Sequence, residues 1–191
     1  MQLAEDQQWP KHFSSASHAI RWADGYRAAD HTQTCTAVVM RNAVKRRGNQ
    51  PIDEHGLRIT RDRLIDQANT IGVAFDALEK PASRAYRYVY GGLQACPDIV
   101  DGLAFMVWDI HGVEYITALG QFKILSGLVL LEAQRDRRIS RAAMADSISV
   151  SLRQFERKWV SPVKDLRRHR DQLINRTDKE FTAALIGLGM F

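Results

Sequence analysis

The chain has 191 residues, enough for one substantial core or for one core and a small appended module. Its 45% hydrophobic and 26% charged residues give the composition of an ordinary soluble globular protein, and its formal net charge of +5 favours a polyanionic partner. Cys35 and Cys96 are far apart and in no C-x-x-C pairing, which fits a reducing cytoplasm and argues against both a disulfide framework and a structural zinc site.

The opening "MQLAEDQQWPKHFSS" contains acids and no apolar core, so it is not read as a secretory signal. Ser14, Ser15 and Ser17 offer N-cap hydroxyls to "HAIRWADGYRA", where Ile20, Trp22, Ala23 and Tyr26 approximate a helical stripe. "TQTCTAVVMRNAVKRR" reads as a second helix stopped by Gly48, with basic residues at the end the macrodipole favours. The stretch 48–59 reads as a loop punctuated by Pro51 and Gly56. Thr60 is expected to cap "RDRLIDQANTIGVAFDALEK", whose Leu64, Ile65, Ala68, Ile71, Phe75 and Leu78 recur at three- and four-residue steps before Pro81.

"SRAYRYVY" predicts a short helix before Gly91 and Gly92, and Pro97 suits the first turn of "PDIVDGLAFMVWDI". Gly112 breaks the chain, and a long apolar helix is expected from about Val113 to Arg135. Its most apolar part, "LGQFKILSGLVLL" (119–131), is too short to span a bilayer and carries Gln121 and Lys123. No run alternates apolar and polar residues between hairpin turns, so an all-α multi-helix bundle is expected. Residues 1–112 are read as an α-helical platform for interaction, and 113–191 as a region built around a helix-turn-helix. The 48–59 loop and the glycine pair at 91–92 are candidate seams.

The positive charge is regional. Residues 135–170 hold eleven Lys and Arg against four acids, so this segment is at +7 and the rest of the chain at −2. It contains "ISRAAMADSISVSLRQFERKWV" (139–160), read as two short helices with a tight joint. Ser140 caps the first, with Met144, Ala145 and Ile148 buried and Val150 beneath the turn. Ser151 caps the second, with Gln154 at the capping-box spacing. Phe155 and Trp159, four apart, anchor it to the core, which leaves Leu152, Arg153, Gln154, Arg157 and Lys158 facing out.

These residues resemble the helix-turn-helix family, in the version found in sigma-factor region four and in phage transcription regulators. The family pattern is met by Met144-Ala145, Asp146-Ser147, Ile148-Ser149-Val150 and Phe155; Ser149 stands where the family has glycine, and Lys158 where an apolar residue is common. The resemblance implies double-stranded DNA as partner, with Arg153, Gln154 and Arg157 reading bases in the major groove. Arg138, Arg141, Ser151, Lys158, Lys164, Arg167 and Arg168 would hold phosphates, and Arg170 would extend that track. "WVSPVKDLRRHRDQLI" (159–174) is similar to the C-terminal end of Q-type phage late-gene antiterminators, which bind DNA near a late promoter and load onto RNA polymerase. The lambda-type members carry a cysteine-rich zinc motif that two distant cysteines do not supply.

Other constellations are weaker. Asp109, His111 and Glu114 in "DIHGVEY" have the residue types of a metal or acid-base site but lie at a helix break, where polar residues are expected. His31 and Cys35 are two ligands at most, and "DEHG" (53–56) reads as an exposed turn. "RAYRYVY" (84–90) has the makings of a base-stacking strip and equally of a packed helical face with snorkelling arginines. Thr177 and Glu180 form a second capping-box pattern ahead of Phe181, Ala184, Leu185 and Leu188, a stripe that either closes the core or pairs with a second copy.

The sequence thus points to a cytoplasmic, nucleoid-associated, sequence-specific DNA-binding regulator of phage type. It is expected to act in antitermination with RNA polymerase, with no catalytic residue, metal or cofactor, and as a homodimer candidate without membrane contact. The alternative is a phage-encoded interaction module or inhibitor docking on a host complex.

Overall fold

A computed structural model of the chain describes residues 9, 11–31, 61–78, 80, 82–91, 97–111, 115 and 117–191. Among these residues there are eight helices and no strand: α1 (Ala16–His31), α2 (Arg61–Asp76), α3 (Ala82–Tyr90), α4 (Pro97–His111), α5 (Leu119–Arg135), α6 (Arg141–Ser147), α7 (Leu152–Lys158) and α8 (Val160–Gly187). The all-α expectation holds. The expected helix over 32–47, the 48–59 loop with "DEHG", the Thr60 cap, the His31–Cys35 pair and Glu114 lie outside the described residues or side chains.

The packing divides the chain into two compact units, Met1–Leu78 with Asp178–Phe191, and Glu79–Thr177. The division falls at 78/79 and 177/178 rather than at residue 112, because α4 packs along α5 and keeps both sides of position 112 in one core.

The first unit pairs α1 with α2. Ser15 caps α1 by accepting the His18 N–H at 3.2 Å. Ala19, Ile20 and Ala23 are buried on α1, and Ala68, Ile71 and Phe75 on α2. Phe181 and Leu185 close this core, with the Phe181 ring edge-on to Phe75 at 5.0 Å. The C-terminal stripe is therefore internal. Backbone and side chain also tie the two chain ends together, through Phe13 N–H to the Met190 carbonyl at 3.1 Å and Trp9 Nε1 to the Leu188 carbonyl.

The second unit is built around α5, whose Phe122, Leu125, Ser126, Val129, Leu130 and Glu132 are buried. Helix α5 begins at Leu119 rather than 113; Tyr115 and Ala118 belong to the turn before it, where their backbones form a 2.8 Å hydrogen bond. On α3, Tyr86 and Tyr88 are buried and Arg84 pairs with Asp98 at 2.8 Å, so the tyrosine–arginine strip is a packed face. Helix α8 runs unbroken for 28 residues, about 42 Å. Thr177 is no cap: its hydroxyl donates back to the Leu173 carbonyl at 3.0 Å, in the middle of the helix.

Candidate nucleic-acid interface

Helices α6 and α7 are each seven residues long, too short to stand without tertiary support. Their ends are satisfied locally. Ser140 accepts the Ala143 N–H and Ser151 accepts the Gln154 N–H, both at 3.2 Å, so both expected caps are made. Between them, Val150 N–H reaches the Ala145 carbonyl at 3.0 Å and Ser149 N–H the Asp146 carbonyl at 3.1 Å. That is a Schellman closure, and it requires a left-handed residue at Ser149, whose φ is 55°. The serine thus adopts the backbone conformation that glycine takes most easily.

Tertiary contacts then fix the pair against α5. Met144, Ala145, Ile148, Phe155 and Trp159 are all buried. Gln121 on α5 donates to the Ile148 carbonyl at 3.4 Å. The Trp159 ring lies 5.1 Å from Tyr115 and 5.3 Å from Phe122, and the Tyr115 hydroxyl donates to the Lys158 carbonyl, where α7 ends. Beneath this aromatic cluster His111 Nε2 meets Asp165 at 2.9 Å, which ties the end of α4 to α8 and gives His111 a structural place. Asp109 is exposed, and no group of three metal-ligating side chains occurs among the described residues.

A second anchor comes from an acid that the sequence reading passed over. Glu132, buried at the end of α5, accepts Arg167 Nε at 2.9 Å, Arg167 Nη2 at 2.7 Å and the Ile139 N–H at 2.8 Å, with Arg170 Nη1 at 3.7 Å. Burial alone would raise its pKa. The hydrogen bonds from Arg167 and Ile139 and the charges of Arg167 and Arg170 outweigh that, and hold the carboxyl below its ordinary 4.5. Because Ile139 immediately precedes the Ser140 cap, this clamp sets where α6 starts.

With the pair so fixed, Leu152, Arg153, Gln154, Arg157 and Lys158 are exposed on α7. Arg137 and Arg138 are exposed on the segment leading to α6, and Lys164 on the second turn of α8. Among the described residues, no carboxylate pairs with Arg137, Arg138, Arg153, Arg157, Lys158 or Lys164. Arg141 opens α6, exposed and 3.9 Å from Glu156, a pair that spans the two short helices. Ser151 uses its oxygen as the α7 cap and keeps its hydroxyl proton to donate. Arg168 is exposed and pairs with Asp165 at 2.9 Å.

Two expectations are corrected. Arg167 does not join an outward phosphate track, because its guanidinium is committed bidentately to Glu132. Arg170 is likewise turned inward, donating to the Val129 carbonyl and Asp171, both at 2.8 Å. Arg137 takes their place as an exposed cation that sequence reasoning counted but did not assign. The result is a segment, 137–158, with six basic and two acidic side chains, whose cations stand on a small rigid platform.

No family model, curated protein or solved structure matches the chain. Among the described residues, no helix is long and apolar enough to cross a membrane.

Proposed function

We propose that the chain is a sequence-specific double-stranded DNA-binding regulator in which α6 and α7 act as a helix-turn-helix. One observation carries the reading. The outward face of α7 offers Arg153, Gln154 and Arg157 without a carboxylate partner among the described residues, while its opposite face is locked by Phe155 and Trp159. A helix presented in that way needs no rearrangement to lie in a major groove. Arg153 and Arg157 offer planar donor forks for guanine, Gln154 a bidentate partner for adenine, and Leu152 an apolar contact for a thymine methyl.

Arg138, Arg141, Lys158, Lys164 and Arg168 serve as phosphate contacts, with the Ser151 hydroxyl as a further donor. The likeness of 159–174 to Q-type antiterminators extends the proposal to a phage-type factor that works with RNA polymerase near its site.

The test is titration of selected duplexes with wild-type protein and Arg153→Ala. Loss of discrimination at one or two base positions, worth about 1–3 kcal/mol, is the expected result. Uniform weakening across sequences overturns base reading by Arg153. Five phosphate contacts also predict that log K falls against log salt with a slope of about −4.5. A flat salt response favours a module that docks on protein instead.

A further inference from the structure

Helix α7 carries one acid, Glu156, among the exposed side chains proposed to meet DNA. Little within the chain favours it. Glu156 lies in the last turn of the helix, where the macrodipole disfavours a carboxylate and suits Arg157 and Lys158. Its ion pair with Arg141 spans 3.9 Å between side chains 65 and 50% exposed, and pairs so open to water contribute little. Beside a duplex the carboxylate is also repelled by phosphates. A group that is unfavourable in the helix and unfavourable near the backbone marks a place where some other interaction decides.

Helical spacing sets where it stands. Side chains four apart share a side of a helix, so α7 presents two neighbouring rows, Leu152 with Glu156 and Arg153 with Arg157. Phe155 and Trp159 take the buried side. At about 100° per residue, Glu156 and Gln154 fall on opposite flanks of the arginine row, and the Arg141 contact turns the Glu156 flank toward α6.

Chemistry separates the rows. Arginine only donates and matches the N7 and O6 acceptors of guanine, while Gln154 matches adenine. A carboxylate only accepts, and the major-groove edge that answers it is the cytosine N4 amino group. Leu152, one turn earlier in the same row and 45% exposed, suits the methyl group of the other pyrimidine.

We infer that Glu156 is a specificity-determining residue that accepts a hydrogen bond from cytosine N4. The inference rests on the DNA reading above and deepens it. The row of Leu152 and Glu156 reads pyrimidines, and the rest of the face reads purines. The basic side chains over 137–158 attract any sequence, and Glu156 withdraws part of that attraction except where a cytosine amino group faces it.

Duplex selection from a randomised pool by wild type, Glu156→Gln and Glu156→Ala, followed by titration of selected and random duplexes, tests this. The wild type is expected to select cytosine at one position. Glutamine keeps the length of the side chain, loses the charge and offers the donor and acceptor that suit adenine, so Glu156→Gln exchanges that cytosine for adenine. Glu156→Ala selects no base there and loses about tenfold in discrimination. Both variants bind random duplex about two- to threefold more tightly, the effect of removing a unit charge about 8 Å from a phosphate in water. The other selected positions and the Tm stay as in the wild type. Variants that select the wild-type sequence, or that strengthen binding to every duplex by one factor, overturn the inference. Uniformly weaker binding assigns Glu156 to holding Arg141 and overturns it as well. All these outcomes leave the DNA reading standing. A wild type that enriches no sequence and binds no duplex at low salt overturns the DNA reading, and the role of Glu156 with it.

Discussion

Replacing Glu132 by alanine removes the acceptor shared by Arg167 and the Ile139 N–H, and so tests whether the clamp holds α6 in place. Breaking a buried ion pair by deleting one partner costs about 3–5 kcal/mol. Arg170 retains the Val129 carbonyl and Asp171, and the Arg167 side chain, 28% exposed, regains water when released. The lower end, about 3 kcal/mol, is therefore expected, or a fall in Tm of about 6–12 °C for a chain of this length. The pH dependence fixes the cause. The carboxyl titrates below 4.5 in the folded protein, so its contribution is complete above that value and is lost as pH falls through the lowered pKa. The stability gap between wild type and Glu132→Ala, from urea unfolding followed by circular dichroism, is expected to be full at pH 7 and to narrow in acid. A gap under about 1 kcal/mol at pH 7 is the range of an exposed ion pair, and would refute the reasoning. So would a gap that does not change with pH.

Ser149→Gly relieves a left-handed serine and is expected to stabilise the protein by up to about 1 kcal/mol in the same unfolding assay, with DNA affinity unchanged. Trp159→Ala empties the space between Tyr115 and Phe122; a loss of about 3–5 kcal/mol and weakened DNA binding are expected from melts and titration. Arg167→Lys keeps the charge but not the bidentate fork, so it is expected to lower stability while leaving the salt slope of DNA binding at the wild-type value. A reduced slope would return Arg167 to the phosphate contacts.

What the sequence disclosed was governed by range. The two short helices were legible because a serine cap and its partner N–H lie within three residues, and because Phe155 and Trp159 recur at helical spacing. The turn was legible too, although Ser149 departs from glycine, since the buried Met144, Ala145 and Ile148 force the same closure. Arg167 was misassigned because its partner is 35 residues away, and no local pattern marks a cation that faces inward. Glu132 looked like an ordinary polar residue ending an apolar helix. Thr177 and Glu180 have capping-box spacing, yet α8 is already helical on both sides of that point and the Thr177 hydroxyl donates to the Leu173 carbonyl, so the local signal starts no helix there. The unit boundaries escaped detection because residues 178–191 pack with residues as distant in sequence as Phe13 and Phe75.

That return of the C-terminal segment sets an order of events during synthesis. Residues 79–177 are consecutive, so their core is free to assemble once they have cleared the ribosome. The other unit has to wait for Phe181, Leu185 and the Met190 carbonyl, all of which follow residue 177 in the chain. The cationic helix pair is thus formed before the chain has closed upon its own beginning, and a chain stopped after Thr177 is expected to resist limited proteolysis over 97–177 while residues 11–78 are digested.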